Sequence, residues 1–207
     1  MVIRMKVDVY TIAHEVKNPL CVVKGYLEML NVNNLEKYKE IIKNELDNSL
    51  EILDNYLNYN KIYINKEEID INVLIMDIKK NMFDYLKKKG IFLKTSLLKD
   101  EIYLQADYDK LKQVFHNIIK NSIESQSKKI EISYQVDFDS ITIQIKNDGL
   151  KLSSDELYRI GTNYTSKISG NGIGLNISKK VINMHGGKIY YKNNIDKGIS
   201  TFITLTL

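Results

Sequence analysis

The string His14-Glu15-Val16-Lys17-Asn18-Pro19-Leu20 gathers an imidazole, a carboxyl and an amide within a few residues. An imidazole whose one ring N–H is held by a carboxylate keeps its other nitrogen free as a nucleophile near neutral pH. Glu15 stands next to His14 to accept that hydrogen, and Asn18, four residues on, shares the helical face of His14. Pro19, the only proline of the chain, falls inside a helical pattern. There it removes a backbone bond and clashes with the carbonyl of Glu15, at a cost of about 3 kcal/mol. A proline kept at that cost asks for a reason other than helicity, and it makes His14 the first candidate for a reactive residue.

Three further groupings suit a phosphate-bearing ligand. Asn117 and Asn121, in QVFHNIIKNSIES, place two amides on one helical face, opposite Val114, Phe115, Ile118 and Ile119. Such amides can coordinate a magnesium ion already bound by triphosphate oxygens. Asn147, Asp148 and Gly149 end a strand-like run, IKNDG, in turn formers, leaving two polar side chains at a sheet edge where a base can be read by hydrogen bonds. The segment TSKISGNGIGLNISK carries Gly170, Gly172 and Gly174 immediately ahead of an apolar-periodic helix. Glycines admit close backbone approach, and a helix N-terminus offers free N–H groups and the positive end of its dipole, which suits a phosphate chain. Neither the dinucleotide fingerprint nor the GK[ST] ending of a P-loop is present. Lys167, in the preceding loop, is placed to meet a terminal phosphate.

The elements that must position these groups follow from hydrophobic period. Val9, Ala13, Val16, Leu20, Val23, Leu27 and Leu30 alternate steps of four and three, the seam of a bundle helix, and Leu35 to Leu57 repeats the pattern after the turn formers Asn31, Asn33 and Asn34. Such a hairpin leaves most of its seam exposed, which predicts a homodimer with a four-helix bundle. Beyond residue 66 the period predicts a helix over Val73 to Lys89, strands at Ile91 to Leu97 and Ile102 to Gln105, and a helix from Tyr108 to Ser125. A β-hairpin over Lys129 to Lys146, a helix ending near Met184 and closing strands at Lys188 to Lys192 and Ser200 to Leu205 complete the pattern. The expected fold class is α+β: an antiparallel two-helix hairpin over residues 1–63, then a two-layer α/β sandwich over residues 64–207.

Composition excludes more than it selects. With 207 residues, 43% hydrophobic and 27% charged, the chain is ordinary globular material, and a net charge of +4 argues for no nucleic-acid partner. One cysteine, Cys21, excludes a disulfide framework and fits a reducing, cytoplasmic setting. Scattered histidines (His14, His116, His185) make a zinc site unexpected, and no apolar run reaches the roughly 20 residues that insert across a bilayer.

In order and spacing, these four groupings resemble the H, N, G1 and G2 boxes of bacterial two-component sensor histidine kinases, with a flavour similar to the sporulation-type members. The resemblance spans essentially the whole chain and includes the flanking strings ADYDKLKQVFHNIIKNSIES and MHGGKI. It implies a phosphotransfer and dimerisation hairpin followed by a Bergerat-type ATP-binding domain that uses ATP and Mg2+. His14 would be the phospho-acceptor and Glu15 its acid-base partner, and Asn18 would stand where the family positions water or the phosphoryl group for dephosphorylation. Asn121 matches the magnesium-binding asparagine and Asn117 a second residue of that box. Gly149 matches the G1 glycine, and Gly170, Gly172, Gly174 and Leu175 match the phosphate-cradling G2 segment, with Thr165, Ser166 and Lys167 in the lid. His185, in HGG, reads as a structural cap.

Two residues depart from that pattern. Where the family has DxGxG this chain has NDGLK, so Asn147 occupies the place of the adenine-reading aspartate and Lys151 replaces a glycine, with Asp148 as a neighbouring carboxylate. The activity implied is autophosphorylation on His14 and transfer to an aspartate of a response-regulator receiver domain. The alternative is a dimeric phosphotransfer scaffold that binds nucleotide but autophosphorylates poorly.

Overall fold

The computed structural model describes residues 9–59, 62–97, 100–160 and 173–207. Thr165, Ser166, Lys167, Gly170 and Gly172 lie outside the described residues. Helix α1, Val9–Glu28, runs on through Pro19, and α2, Leu35–Tyr59, returns beside it. Side chains close the turn between them: Asn34 Oδ1 accepts the Asn31 N–H at 2.8 Å, and Asn34 Nδ2 donates to the Met29 carbonyl at 2.9 Å. That second bond satisfies a carbonyl just past the end of α1, where the intrahelical ladder supplies no donor. Tyr26 and Tyr38 then meet edge to face across the pair, with ring centroids 4.8 Å apart.

The face that α1 buries is shifted from the predicted seam. Ile12, Pro19 and Val23 are buried and Val16 is half-buried, whereas the seam residues Ala13, Leu20 and Leu27 are exposed. The physical reason is that the helix has two neighbours to satisfy. Ile12 and Val16, with Ile52 of α2, join the main core of the following sandwich, whose helix over 173–184 packs against α2. Leu20 and Leu27, with Leu46, Leu50 and Leu53 of α2, form an apolar row left open to solvent.

The rest of the chain builds a five-stranded sheet covered by helices. Strands β2 (Phe92–Thr95), β4 (Lys129–Val136), β5 (Ser140–Asn147), β6 (Lys188–Asn193) and β7 (Ile199–Thr206) lie in the order β2-β4-β5-β7-β6. All pairs are antiparallel except β2 with β4, which are parallel. A parallel pair needs a long crossover, and helix α4, Tyr108–Glu124, lies in it. Strand alternation sends Ile130, Ile132, Ile141, Ile143, Ile145, Ile203 and Leu205 into the core. There they meet Leu74, Ile75 and Ile78 of α3 (Ile71–Lys88), Phe115 and Ile119 of α4, and Ile177 and Val181 of α6 (Ile173–Met184). The opposite face is mostly polar, with Thr142 bonded to Thr204 and Gln144 to Ser200, apart from the stacked rings of Tyr190 and Phe202. This is the expected two-layer arrangement.

One element was not expected. Strand β1, Glu67–Asp70, pairs with β3, Tyr103–Ala106, as a separate two-stranded sheet. A single turn of helix, α5, Ser154–Arg159, carries a full capping box between Ser153 and Glu156. No helix among the described residues is long and apolar enough to cross a membrane.

Candidate functional site

Two helices and the end of one strand converge on the amides singled out by the sequence. Helix α4 starts at Asp107, whose Oδ1 accepts the Lys110 N–H at 3.0 Å and whose Oδ2 accepts the Asn65 N–H at 2.9 Å. His185 locks the same corner: Nε2 accepts the Asp107 N–H at 2.9 Å, and Nδ1 lies 2.8 Å from the Val181 carbonyl. Both bonds form only with a neutral ring carrying its hydrogen on Nδ1, and burial lowers the His185 pKa in that sense. The expected structural cap is therefore a brace between the start of α4 and the end of α6.

Along α4, Asn117 and Asn121 stand one turn apart. Asn117 Nδ2 donates to the Gly174 carbonyl at 3.0 Å and reaches Ser178 Oγ at 3.4 Å, so it ties α4 to the first turn of α6, where the glycine segment ends. Asn121 Nδ2 donates to the Asn117 carbonyl at 2.7 Å. Its Oδ1 is left without a protein partner among the described residues, and a side-chain oxygen in that state is what a hard cation takes. Among the described residues no three His, Cys, Asp or Glu side chains converge as metal ligands. The amide oxygen of Asn121 thus fits a magnesium ion that brings phosphate oxygens as its other ligands. Leu175, half-buried, packs its side chain on the core below.

Asn147 closes β5 against the far end of α4 and is 7% exposed. Its Oδ1 accepts the Gly149 N–H at 3.0 Å and the Ile199 N–H at 3.2 Å, and its Nδ2 donates to Ser122 Oγ at 3.2 Å. Asp148 turns to the start of β4, where Oδ1 accepts the N–H groups of Lys128 and Lys129, each at 2.8 Å. Gly149 lies so close to α4 that a Cβ there would stand 2.5 Å from Ser125 Oγ and 2.7 Å from Ser127 Oγ, and closer still to the Ser125 carbonyl oxygen. Lys151 donates to the Ile195 carbonyl at 2.6 Å. Sequence reasoning missed Ser122, Ser125, Ser178 and Asn194. Each is an ordinary polar residue whose part depends on a contact far along the chain, and no local signal marks it.

His14 and Asn18 are exposed on the outer face of α1, as their spacing requires. The expected hydrogen bond from His14 to Glu15 is not made. Successive helical residues point about 100° apart, so Glu15 turns under the helix, where its Oε2 is buried without a partner. Desolvation pushes the Glu15 carboxyl up from 4.5 to about 7. No hydrogen bond or ion pair joins His14, Glu15 or Asn18 to the α4–α6 residues among the described residues. His116, on α4, also buries its Nε2 unpartnered, and burial lowers its pKa.

The Glu15 shift has a measurable sign. A carboxyl whose pKa is higher in the folded chain than in the unfolded one stabilises the fold most at low pH, and that contribution is lost as pH rises through the folded value. The hairpin should therefore lose stability between about pH 4.5 and about pH 7. Glu15→Gln should remove this slope from the thermal midpoint; a slope unchanged in that variant would refute the assignment.

Comparison with known proteins gives two matches to family models. Residues 9–62 match the His Kinase A (phospho-acceptor) domain, and residues 106–207 match the histidine kinase-, DNA gyrase B-, and HSP90-like ATPase. Sporulation kinase A of Bacillus subtilis is 34% identical over 90% of this chain and 32% of its own length; sporulation kinase B of the same organism is 32% identical over 94% and 48%. The chain thus spans about a third to a half of these curated relatives. Among solved structures, histidine kinase ThkA in complex with response regulator protein TrrA matches with a TM-score of 0.81 at 25% identity, covering 94% of this chain and 59% of that one. The Acinetobacter baumannii histidine kinase AdeS shares the fold, with a TM-score of 0.76 at 18% identity over 93% of this chain and 97% of its own.

Proposed function

Because the chain belongs to the two-component histidine kinases, we propose that it phosphorylates its own His14 from ATP and passes the phosphoryl group to a receiver-domain aspartate. The observation that carries this reading is the tie from Asn117 to Gly174, which sets the Asn121 amide beside the N-terminus of α6. Phosphoryl transfer asks the protein mainly for positioning and charge neutralisation. The first turn of α6 offers backbone N–H groups and dipole to the phosphates, and Asn121 Oδ1 would hold magnesium. That ion, when bound, would neutralise charge on the β- and γ-phosphate oxygens.

On the hairpin side, the unprotonated ring nitrogen of His14 attacks the γ-phosphorus as the bond to the bridging oxygen breaks and the nucleoside diphosphate leaves. For Glu15 to take the proton on the other ring nitrogen of the new phosphohistidine, its carboxyl would have to swing out from under the helix toward the exposed imidazole. In the second transfer an aspartate oxygen of the receiver attacks the same phosphorus, the P–N bond breaks and the imidazole takes its proton back. Asn18, one turn beyond His14 on the same exposed face, would orient the water that returns the receiver to its free state.

The division into a phospho-acceptor hairpin over 1–63 and a nucleotide domain over 64–207 is part of this reading, supported by the separate matches to 9–62 and 106–207. The receiver partner is supported by the relative ThkA, solved in complex with a response regulator. A second copy of the chain would cover the open row of Leu20, Leu27, Leu46, Leu50 and Leu53. Sedimentation equilibrium should then show a dimer that Leu50→Asp weakens; a wild-type monomer at micromolar concentration would exclude it. Incubation with γ-labelled ATP and Mg2+ should give alkali-stable, acid-labile protein label that a cognate receiver domain removes. Steady phosphate release with no labelled protein would count against the proposal.

A further inference from the structure

Helix α3 carries two faces of different make. Leu74, Ile75, Ile78, Met82 and Leu86 are buried and hold it to the sandwich core. On the opposite side Val73, Met76, Lys80, Phe83 and Lys87 follow one another at steps of three and four, so they stand in one row. Val73, Met76 and Phe83 are 55%, 57% and 58% exposed. With Lys79 beside it, the row occupies about a third of the helix circumference and includes no acidic residue.

We propose that this face of α3 lies on an anionic lipid surface: Phe83 and Met76 enter the headgroup layer, and Lys79, Lys80, Lys87, Lys88 and Lys89 meet the lipid phosphates. The proposal is independent of the nucleotide reading above.

Charge is the first ground. Among the described residues none of these lysines pairs with a carboxylate. Lys79 Nζ reaches the neutral Thr95 Oγ1 at 3.4 Å, and Lys87 Nζ lies 5.9 Å from the centre of the Phe83 ring. Lys87 and Lys88, in the last turn, also answer the helix dipole; Lys79 and Lys80, in mid-helix, do not. The N-terminal end of α3 adjoins the exposed carboxylates of Glu67, Glu68, Asp100 and Glu101. An anionic surface therefore draws in the C-terminal half of the helix and turns the acidic end away.

Composition selects a lipid over a protein partner. The centre of a protein interface is depleted of lysine and closes on unbroken apolar surface. Here lysines alternate with apolar side chains along one convex row. Lysine stems can lie along an apolar layer while their ammonium groups stay at phosphate level, and such a mixture is what a helix resting in a membrane interface carries.

Placement permits the contact. Helices α3, α4 and α6 cover one face of the sheet, with α3 beside the β2 edge and α6 beside the β6 edge. The amide of Asn117 bonds to α6, so a surface held by the outer side of α3 leaves the α4–α6 residues open. Each lysine near an anionic membrane strengthens binding about fivefold, which makes the attachment peripheral and reversible.

The test is flotation of the full chain with vesicles of phosphatidylcholine alone and of phosphatidylcholine mixed with phosphatidylglycerol. The wild type should float with the mixed vesicles and not with the neutral ones, and added salt should release it. Lys80→Gln/Lys87→Gln should weaken binding about thirtyfold, and Phe83→Ser about tenfold or more. All three side chains are exposed, so both variants should fold as the wild type does. Lys188→Gln/Lys192→Gln, the same loss of charge on the far face of the sheet, should bind as the wild type does. No flotation with the mixed vesicles, equal flotation with both kinds, full binding by either α3 variant, or an equal loss in the β6 variant would each overturn the proposal. So would lipid-free self-association that Phe83→Ser abolishes, which would give this face to a second copy of the chain.

Discussion

Replacing Asn121 with alanine should lower the rate of autophosphorylation by about 100- to 1,000-fold, the range seen when one preorganised group facing transition-state charge is removed. The fold should hardly notice. Asn121 is half-buried, and among the described residues its amide makes one bond, to the Asn117 carbonyl of its own helix. Loss of that bond costs at most about 1 kcal/mol, offset in part by the higher helix propensity of alanine. The deficit should appear as a higher magnesium requirement and a lower rate with an unchanged thermal midpoint. Asn121→Asp, which keeps an oxygen at the position, should retain more activity than the alanine variant. Equal rates for wild type and Asn121→Ala would remove this residue from the metal site.

The second large effect is structural and falls at Gly149. An alanine there must displace the Ser125 carbonyl, which already accepts the Leu150 N–H at 2.9 Å, as well as two serine hydroxyls. The hydroxyls can rotate away; the carbonyl belongs to the end of α4 and cannot. Overpacking against backbone should cost roughly 2–3 kcal/mol, read as a lower denaturant midpoint with an unchanged slope. Nucleotide affinity should fall with it, because the Gly149 N–H holds Asn147 in place. Gly25→Ala is the control: nothing stands within 4 Å of a Cβ at that position inside α1, so the change should add up to about 1 kcal/mol of stability. A Gly149→Ala variant as stable as wild type would mean that the turn does not sit against α4 as described.

Both variants probe features with very different visibility in the sequence. The Asn117/Asn121 pair was legible because helical spacing alone puts both amides on one face, and α4 formed as its period required. The β4–β5 hairpin was legible from alternation, and its register sends the expected isoleucines inward. Strand β1 was not, because Glu67-Glu68-Ile69-Asp70 has one apolar residue and pairs only through a strand more than 30 residues away. The buried face of α1 differs from the predicted seam for a related reason. A seam drawn from one helix cannot tell which of its two apolar rows meets the same chain and which stays open, and here Ile12 and Pro19 took the buried place of Ala13 and Leu20.

The chemistry of single side chains was the least legible part. Sequence placed Glu15 beside His14, but only the rotation of the helix shows that its carboxyl lies buried and unpartnered while the imidazole faces out. Asn147 read as a candidate base contact. The two backbone donors that fix its amide come from Gly149 and Ile199, and the second is brought in by the β5–β7 pairing.

The central claim is that a nucleotide γ-phosphoryl group ends on His14, and the most direct measurement is phosphorus-31 NMR of the protein after reaction, with peptide mapping at alkaline pH. The account predicts a phosphoramidate resonance that maps to the peptide carrying His14 and is absent from His14→Gln. A phosphorylated protein whose label maps elsewhere, or survives in His14→Gln, would contradict it.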